Sequence, residues 1–577
     1  MTATVGERIR VVGVLAFFAG VFCVLAVCSY TRESATMDEP QHLTSGYCAL
    51  KRHDYRIDPE HPPFLRMWAA LPLLAIDGIK LDTSVIDPVP TMEWAWSNQF
   101  DFCHQFMYFD NDADRLLYAA RFMVVALGVF LGVMLFSWVN EWLGFRTAVI
   151  TLGCYTIEPN IIAHSSLVTT DLAVTCFVFG TIYFLWRTCR HSSVGNTMGL
   201  AVFFALANIS KFSGLILGPI VVLLLLVAVV RFRALKPAVA LAIVGLLAST
   251  TWLAIWAVYG FRYAPSASSE WVFQFHNDPV MHHRSPIIAD IVGWLDACHL
   301  LPNAYTQGFL LSETKLGARA AYLAGNYSTA GWWYYFPVAF AVKTPVSLIV
   351  LLISGGLVYI KRWRQLGLGN IVFVLLPVGL YVGPAMSTRF NIGLRHILPI
   401  YPFLLLVAAA AVKELLEAKQ RTGRAVIAAL AVCWLLEFGR VYPKTLAFFN
   451  QFVGGPRKGY EYLVDSNLDW GQDLKPLKRW MDQHGVAHIN LAYFGSADPT
   501  YYHIDCTYLP GAPPFAEQLV KPPQLPGYVA VSDTILVGAY LTDRGRAFYR
   551  PLRDREPVAD IGYSIRVYWA DQPWWPP

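Results

Sequence analysis

The sequence predicts a polytopic, all-α membrane protein of about eleven transmembrane helices, with a small α/β C-terminal domain outside the bilayer. Three observations predict it. Hydrophobic residues make up 55% of the 577, and many fall in uninterrupted runs that a water-soluble core does not produce. Charged residues are only 15%, against about 25% in a soluble domain. After Tyr442 the pattern changes to short β-like runs with one helix-like stretch. Disorder, a coiled coil and a basic nucleic-acid binder are excluded together. The balance of 45 basic against 40 acidic residues leaves +5, too weak to specify a polyanionic partner.

The first apolar run, Val11 to Tyr30, follows Arg8 and Arg10 but lacks a small-residue cleavage site, so it reads as a retained span. Further runs occupy roughly 116–139, 147–165, 170–187, 195–210, 213–230, 237–259, 336–360, 370–387, 396–412 and 425–440. The stretch 195–230 reads either as two short spans or as one overlong helix. Two spans keep the basic turns on one side: Arg187 and Arg190, then Arg231, Arg233 and Lys236, then Lys361, Arg362 and Arg364, then Lys413, Lys419, Arg421 and Arg424. The positive-inside rule makes that side cytoplasmic, together with the N-terminus.

Three polar segments then face outward: about 31–115, about 260–335, and everything after 442. Residues 1–442 form the transmembrane domain and 443–577 the outer one. Phe64–Leu74 is amphipathic and suits the membrane interface. In the tail, Ile489–Phe494, Tyr528–Val531 and Ser564–Trp569 read as strands and Leu474–His484 as a helix. No internal repeat is visible, which counts against inverted-repeat transporters. Of ten cysteines, only Cys48, Cys103, Cys298 and Cys506 fall in the polar segments. Spacing does not pair them.

Charge at the membrane is the feature that carries chemistry. Arg121, Asp171, Lys211, Lys343 and Arg395 lie in or at the edge of apolar runs. Each costs about 2.5–3.5 kcal/mol at the bilayer centre on insertion scales, so function is the default reading. In the predicted topology Asp171, Lys211 and Arg395 gather near the outer leaflet. Asp38 and Glu39, in Met37-Asp38-Glu39-Pro40-Gln41-His42, stand at the same edge. A carboxylate there serves either as a general base or as a helix N-cap ahead of Pro40. A cationic cluster beside it suits a phosphate leaving group and an acceptor hydroxyl; ion pairing among these residues is the structural alternative. Downstream, Pro62 and Pro63 fix an extended loop that presents His61.

Other motifs carry less. Asp110-Asn111-Asp112 reads as a cap on the second span. Asp465-Ser466-Asn467-Leu468-Asp469 opens like a calcium loop, but Trp470 stands where glycine is needed and Pro476 where glutamate is. His276, His282 and His283 with Asp278 follow no zinc spacing. No phosphate-cradling glycine motif is present. No cofactor is expected, and no metal ligand set is assigned.

The order of these pieces resembles the polyprenol-phosphate-dependent glycosyltransferases of the GT-C class: protein O-mannosyltransferases, bacterial family-39 enzymes and aminoarabinose lipid A transferases. The first outer loop is similar in its Asp38–His42 stretch, Tyr55 and His61-Pro62-Pro63. NDADRLLYAARF (111–122) places Arg121 at the family's arginine. EPNIIAHSSLVTTDLAVTCF (158–177) places Asp171 at a carboxylate position, and LANISKFSGL (206–215) places Lys211 at a buried lysine. AYLAGNYSTAGWWYYFPVAFAVKTPVSL (321–348), with Lys343, resembles a bacterial subgroup. So do NIGLRHILPIYPF (391–403), with Arg395 and His396, and DSNLDWGQDLK (465–475).

The resemblance implies an inverting transfer of a sugar from a polyprenyl-phosphate donor to an acceptor hydroxyl on protein, lipid or glycan, at the outer face. Asp38 would be the base, with Glu39 and His42 orienting it. Arg121, Lys211 and Arg395 would hold the lipid phosphate, and His61 and Asp171 would serve the donor or acceptor site. The rival reading is a transporter or flippase for a lipid-linked sugar, which would need access from both leaflets. The clustering of candidate residues toward one face argues against it.

Overall fold

The computed structural model describes residues 5–84, 86, 92–267, 270–278, 281–315, 319–418, 421–511 and 521–575, with backbone only for 92–97. Among these residues, eight helices are long and apolar enough to cross a membrane. They are Val5–Tyr30, Ala113–Leu143, Thr170–Arg190, Phe212–Val230, Pro237–Val258, Val346–Leu366, Leu368–Ser387 and Leu394–Glu417. Phe145–Thr156 with Pro159–Ser165, Val194–Ser210 and Arg421–Val441 pack alongside. Large apolar side chains such as Val24, Leu226, Leu253, Ile353 and Leu436 are more than half exposed on these helices. Such a surface suits hydrocarbon rather than water. Thr170–Arg190 and Leu394–Glu417 form the centre of the bundle, each 83% buried over its apolar window, whereas Val5–Tyr30 lies at the rim with 11%.

Two expected spans are interrupted. The run 147–165 breaks where the Glu158 carboxylate caps a new helix, accepting from Ile161 N at 2.7 Å, with Pro159 in its first turn. The run 336–360 breaks at Thr344-Pro345, where proline cannot continue the preceding helix. The stretch 195–230 is two elements, because Lys211 is extended (φ −156°, ψ 139°) between Val194–Ser210 and the turn at Phe212.

In the first polar segment, Glu39–Arg52 packs against Phe64–Ala70, which continues as a 3-10 turn to Ala75. The second holds Pro286–Ala297, Asn303–Lys315 and a hairpin pairing Ala321–Leu323 with Asn326–Ser328. Asp112 caps the second span, accepting from Arg115 N at 3.1 Å. The tail carries a mixed five-stranded sheet. Asp505–Tyr508, His488–Ala492 and Gly527–Ser532 run parallel in that order, then Ile565–Ala570 and Ala559–Ile561 pair antiparallel. Leu474–Gln483 is the expected helix. Between Thr445 and Asp473 the chain runs in short turns packed against Pro159–Ser165, Arg421–Val441 and Leu394–Ile400. All ten cysteines are free, with Cys48 and Cys103 buried in one cluster with Ile57, Ile86 and Phe102.

Candidate active site

Asp38 precedes the Glu39–Arg52 helix, yet its side chain does not cap it. Its Oδ2 instead accepts from Arg395 Nη1 at 3.0 Å. The same nitrogen lies 3.5 Å from Asp171 Oδ2, and Lys211 Nζ donates to Asp171 Oδ1 at 2.5 Å. Arg395 and Asp171 stand at the starts of their helices and Lys211 at the break after its own. A chain of alternating charge, Asp38–Arg395–Asp171–Lys211, therefore lies at one end of the bundle. The Asp38 side chain is 33% exposed and that of Asp171 only 1%, so Asp38 is the carboxylate of this chain that a substrate can reach. Because Asp171, Lys211 and Arg395 meet at one end, the basic turns after Arg190, Val230, Leu366 and Glu417 lie at the other.

Around this chain, buried polar atoms lack hydrogen-bond partners: Asp171 Oδ2, Arg395 Nε, His396 Nε2, His164 Nδ1 and His61 Nδ1. Native interiors leave few such atoms, and a group of them beside paired charges suits a polar ligand. The His61 ring is held well below its ordinary value by burial and by the positive charge of Lys211, so it faces the site neutral.

Four expected site residues, Arg121, Glu39, Lys343 and His42, are engaged elsewhere. Arg121, expected to hold a phosphate, is wholly buried: Nε and Nη2 donate to Glu39 at 2.8 and 2.5 Å, Nη1 to Tyr30 O and Nη2 to Ser34 O, each at 2.9 Å. Glu39, expected beside Asp38 in catalysis, also accepts from Thr36 N and Val168 N, each at 2.8 Å, and has no exposed side-chain surface. Arg121 thus spends four of its five N–H groups on buried acceptors and has no exposed side-chain surface. The pair clamps the loop ahead of Asp38 to the second span. Lys343 donates to the carbonyls of Leu446, Phe448 and Asn467, tying its helix to the start of the tail.

His42, expected to orient Asp38, bonds Asp58 instead, 2.6 Å from its Nδ1. Burial opposes the imidazolium, but the Asp58 carboxylate outweighs it and leaves His42 above its ordinary value. Burial likewise opposes the Asp58 charge, while Arg66 at 3.0 Å and His42 hold its carboxyl well below the usual carboxylate range. His61 lies beside this knot, its ring centre 6.1 Å from that of His42. Sequence reasoning missed Asp58 and Arg66. The Asp58-Pro59 step was the available signal; in the structure Asp58 stands at φ 53°. It also missed Arg319, whose guanidinium lies 5.2 Å from the Phe390 ring and 5.8 Å from that of Tyr540, within electrostatic reach of Asp38.

Among the described residues no group of three His, Cys, Asp or Glu side chains is arranged to hold a metal. Asp465 is bonded by Tyr540 and by Ser466 N. His283 faces Glu313 at 3.7 Å.

Residues 114–256, which take in Arg121, Asp171 and Lys211, match the family described as Dolichyl-phosphate-mannose-protein mannosyltransferase. No curated protein matches the sequence. Among solved structures, the chain is similar to ArnT from Cupriavidus metallidurans bound to undecaprenyl phosphate. The two are 12% identical, with 98% of this chain and 99% of that one covered, at a TM-score of 0.45. It is also similar to the protein O-mannosyltransferase Pmt1-Pmt2 complex of S. cerevisiae bound to the sugar donor, at 11% identity over 77% of this chain and 90% of that one, TM-score 0.48. A third is the Archaeoglobus fulgidus oligosaccharyltransferase in the apo form, 12% identical over 99% and 76%, TM-score 0.49.

Proposed function

We propose that this chain is an integral membrane glycosyltransferase that moves a sugar from a polyprenyl-phosphate donor to an acceptor hydroxyl at the outer face, with inversion at the anomeric carbon. The single observation that supports it most is the reachable Asp38 carboxylate at the head of the Arg395–Asp171–Lys211 chain. The match of residues 114–256 to a mannosyltransferase family supports the reaction class.

In this reading the donor phosphate lodges against Arg395 and Lys211. An arginine fork fits two phosphate oxygens, and fixed cations stabilise the negative charge that grows on the leaving phosphate. The phosphate competes with Asp38 for the guanidinium, and the freed carboxylate accepts the acceptor's hydroxyl proton. The acceptor oxygen forms the new bond to the anomeric carbon as the carbon–oxygen bond to the phosphate breaks from the opposite side. His61 and His396 offer ring nitrogens to sugar hydroxyls, and Asp171 holds Arg395 and Lys211 in register.

Arg395→Met is expected to lower kcat/KM by roughly 10²–10³, and Arg395→Lys by clearly less, since lysine keeps the charge and loses the fork. Steady-state transfer with a labelled donor checks the order of the two variants. Equal losses would contradict phosphate recognition by the guanidinium.

By the positive-inside rule, the basic turns support a cytoplasmic side for the end of the bundle opposite Asp38. A reporter active only in the cytoplasm, fused after Pro577, is therefore expected to be silent, and an active fusion would reverse the assigned sidedness.

A further inference from the structure

The segment after Val464 touches the loop ahead of Asp38 and the Arg395 side chain. Three consecutive carbonyls face the loop ahead of Asp38: Trp470 O accepts from Met37 N, Gly471 O from Ser34 Oγ and Gln472 O from Ser34 N, each at 2.9 Å. Gly471 makes this turn possible. It sits at φ +95°, and a Cβ there would meet Gly495 Cα at 2.7 Å. On its other side the segment holds the turn that carries Arg395. Asn467 Oδ1 accepts from Leu394 N at 2.9 Å, and Ser466 Oγ donates to Ile392 O at 3.0 Å. The Trp470 ring lies under the Arg395 guanidinium, 4.2 Å from its centroid. Trp470 is itself fixed, its N donating to Gln472 Oε1 at 2.9 Å, and is 1% exposed.

We propose that Ser466–Gln472 is a positioning element for the Asp38–Arg395 pair, in which Trp470 holds the residue before Asp38 by its carbonyl and Arg395 by its ring. This rests on the glycosyltransferase reading for its effect on rate, but not for its effect on geometry. A cation held over an indole face loses one wall and its attraction when the ring is removed. Trp470→Leu keeps the backbone bond to Met37 and removes the ring; Trp470→Phe keeps an aromatic face. Because both changes fall in a packed tail, Tyr549→Leu is the control. Tyr549 is wholly buried in the Asp543–Arg553 helix and its hydroxyl bonds Pro510 O.

The experiment compares turnover of labelled polyprenyl-phosphate mannose, thermal midpoint and hydrogen–deuterium exchange for the three variants in detergent. Trp470→Leu is expected to lower kcat roughly 5–30-fold, with Trp470→Phe recovering most of it. Exchange should rise in peptides 34–42 and 390–398. Tyr549→Leu is expected to lower the thermal midpoint comparably while leaving kcat and those peptides unchanged. Unchanged exchange in both peptides of Trp470→Leu would overturn the proposal, as would a kcat loss that follows thermal midpoint alike in Trp470→Leu and Tyr549→Leu. If the wild-type protein turns over none of the polyprenyl-phosphate sugars offered, the function reading fails while the exchange data still decide the positioning role.

Discussion

Asp38→Asn is expected to leave folding, insertion and donor binding intact and to slow transfer by roughly 10²–10⁴. Asparagine matches the size of aspartate and still offers an oxygen to Arg395 Nη1, now 3.0 Å from the carboxylate. It cannot take up a proton. The loss should therefore appear in kcat, with the donor's Kd within a few-fold of wild type. Turnover by the purified variant at matched amounts checks it. Near-normal turnover would remove Asp38 from the chemistry and leave its pairing with Arg395 as a structural contact.

The second large effect is on stability. Arg121→Met is expected to destabilise the protein by about 3–5 kcal/mol, because it leaves the Glu39 carboxylate buried without its cation. Glu39 and Arg121 both have no exposed side-chain surface. The same substitution would be mild in folding and severe in donor binding if Arg121 held a phosphate, so accumulation in the membrane and thermal midpoint separate the two roles. Adding Glu39→Gln to Arg121→Met should recover part of the loss, since an amide is cheaper to bury than a charge. An Arg121→Met protein that is stable but blind to the donor would return Arg121 to the binding site.

The sequence made the membrane class legible because long apolar runs have few alternative meanings, and the two-element reading of 195–230 followed from charge at both ends. Breaks inside runs were less legible. Glu158-Pro159 and Thr344-Pro345 sit within apolar surroundings, and only the helix ends they make reveal them. At the site, sequence identified charges at the membrane edge but could not assign their partners. Arg121, Lys211, Lys343 and Arg395 look alike in an apolar run. Arg121 and Lys343 are engaged by buried acceptors, while Arg395 joins Asp38 and Asp171 and leaves Nε without a partner. The Trp470 ring under Arg395 joins positions 75 residues apart in sequence, a contact that spacing alone does not encode.

The central claim is that Asp38 and Arg395 drive a glycosyl transfer rather than the movement of a lipid-linked sugar. The direct measurement uses purified protein in detergent, where sidedness is lost, with labelled polyprenyl-phosphate sugars and hydroxyl acceptors. Release of polyprenyl phosphate together with a new glycosidic bond, abolished by Asp38→Asn and reduced by Arg395→Met, is the predicted result. Tight donor binding with no released polyprenyl phosphate, for every sugar and acceptor offered, would contradict it and favour a flippase.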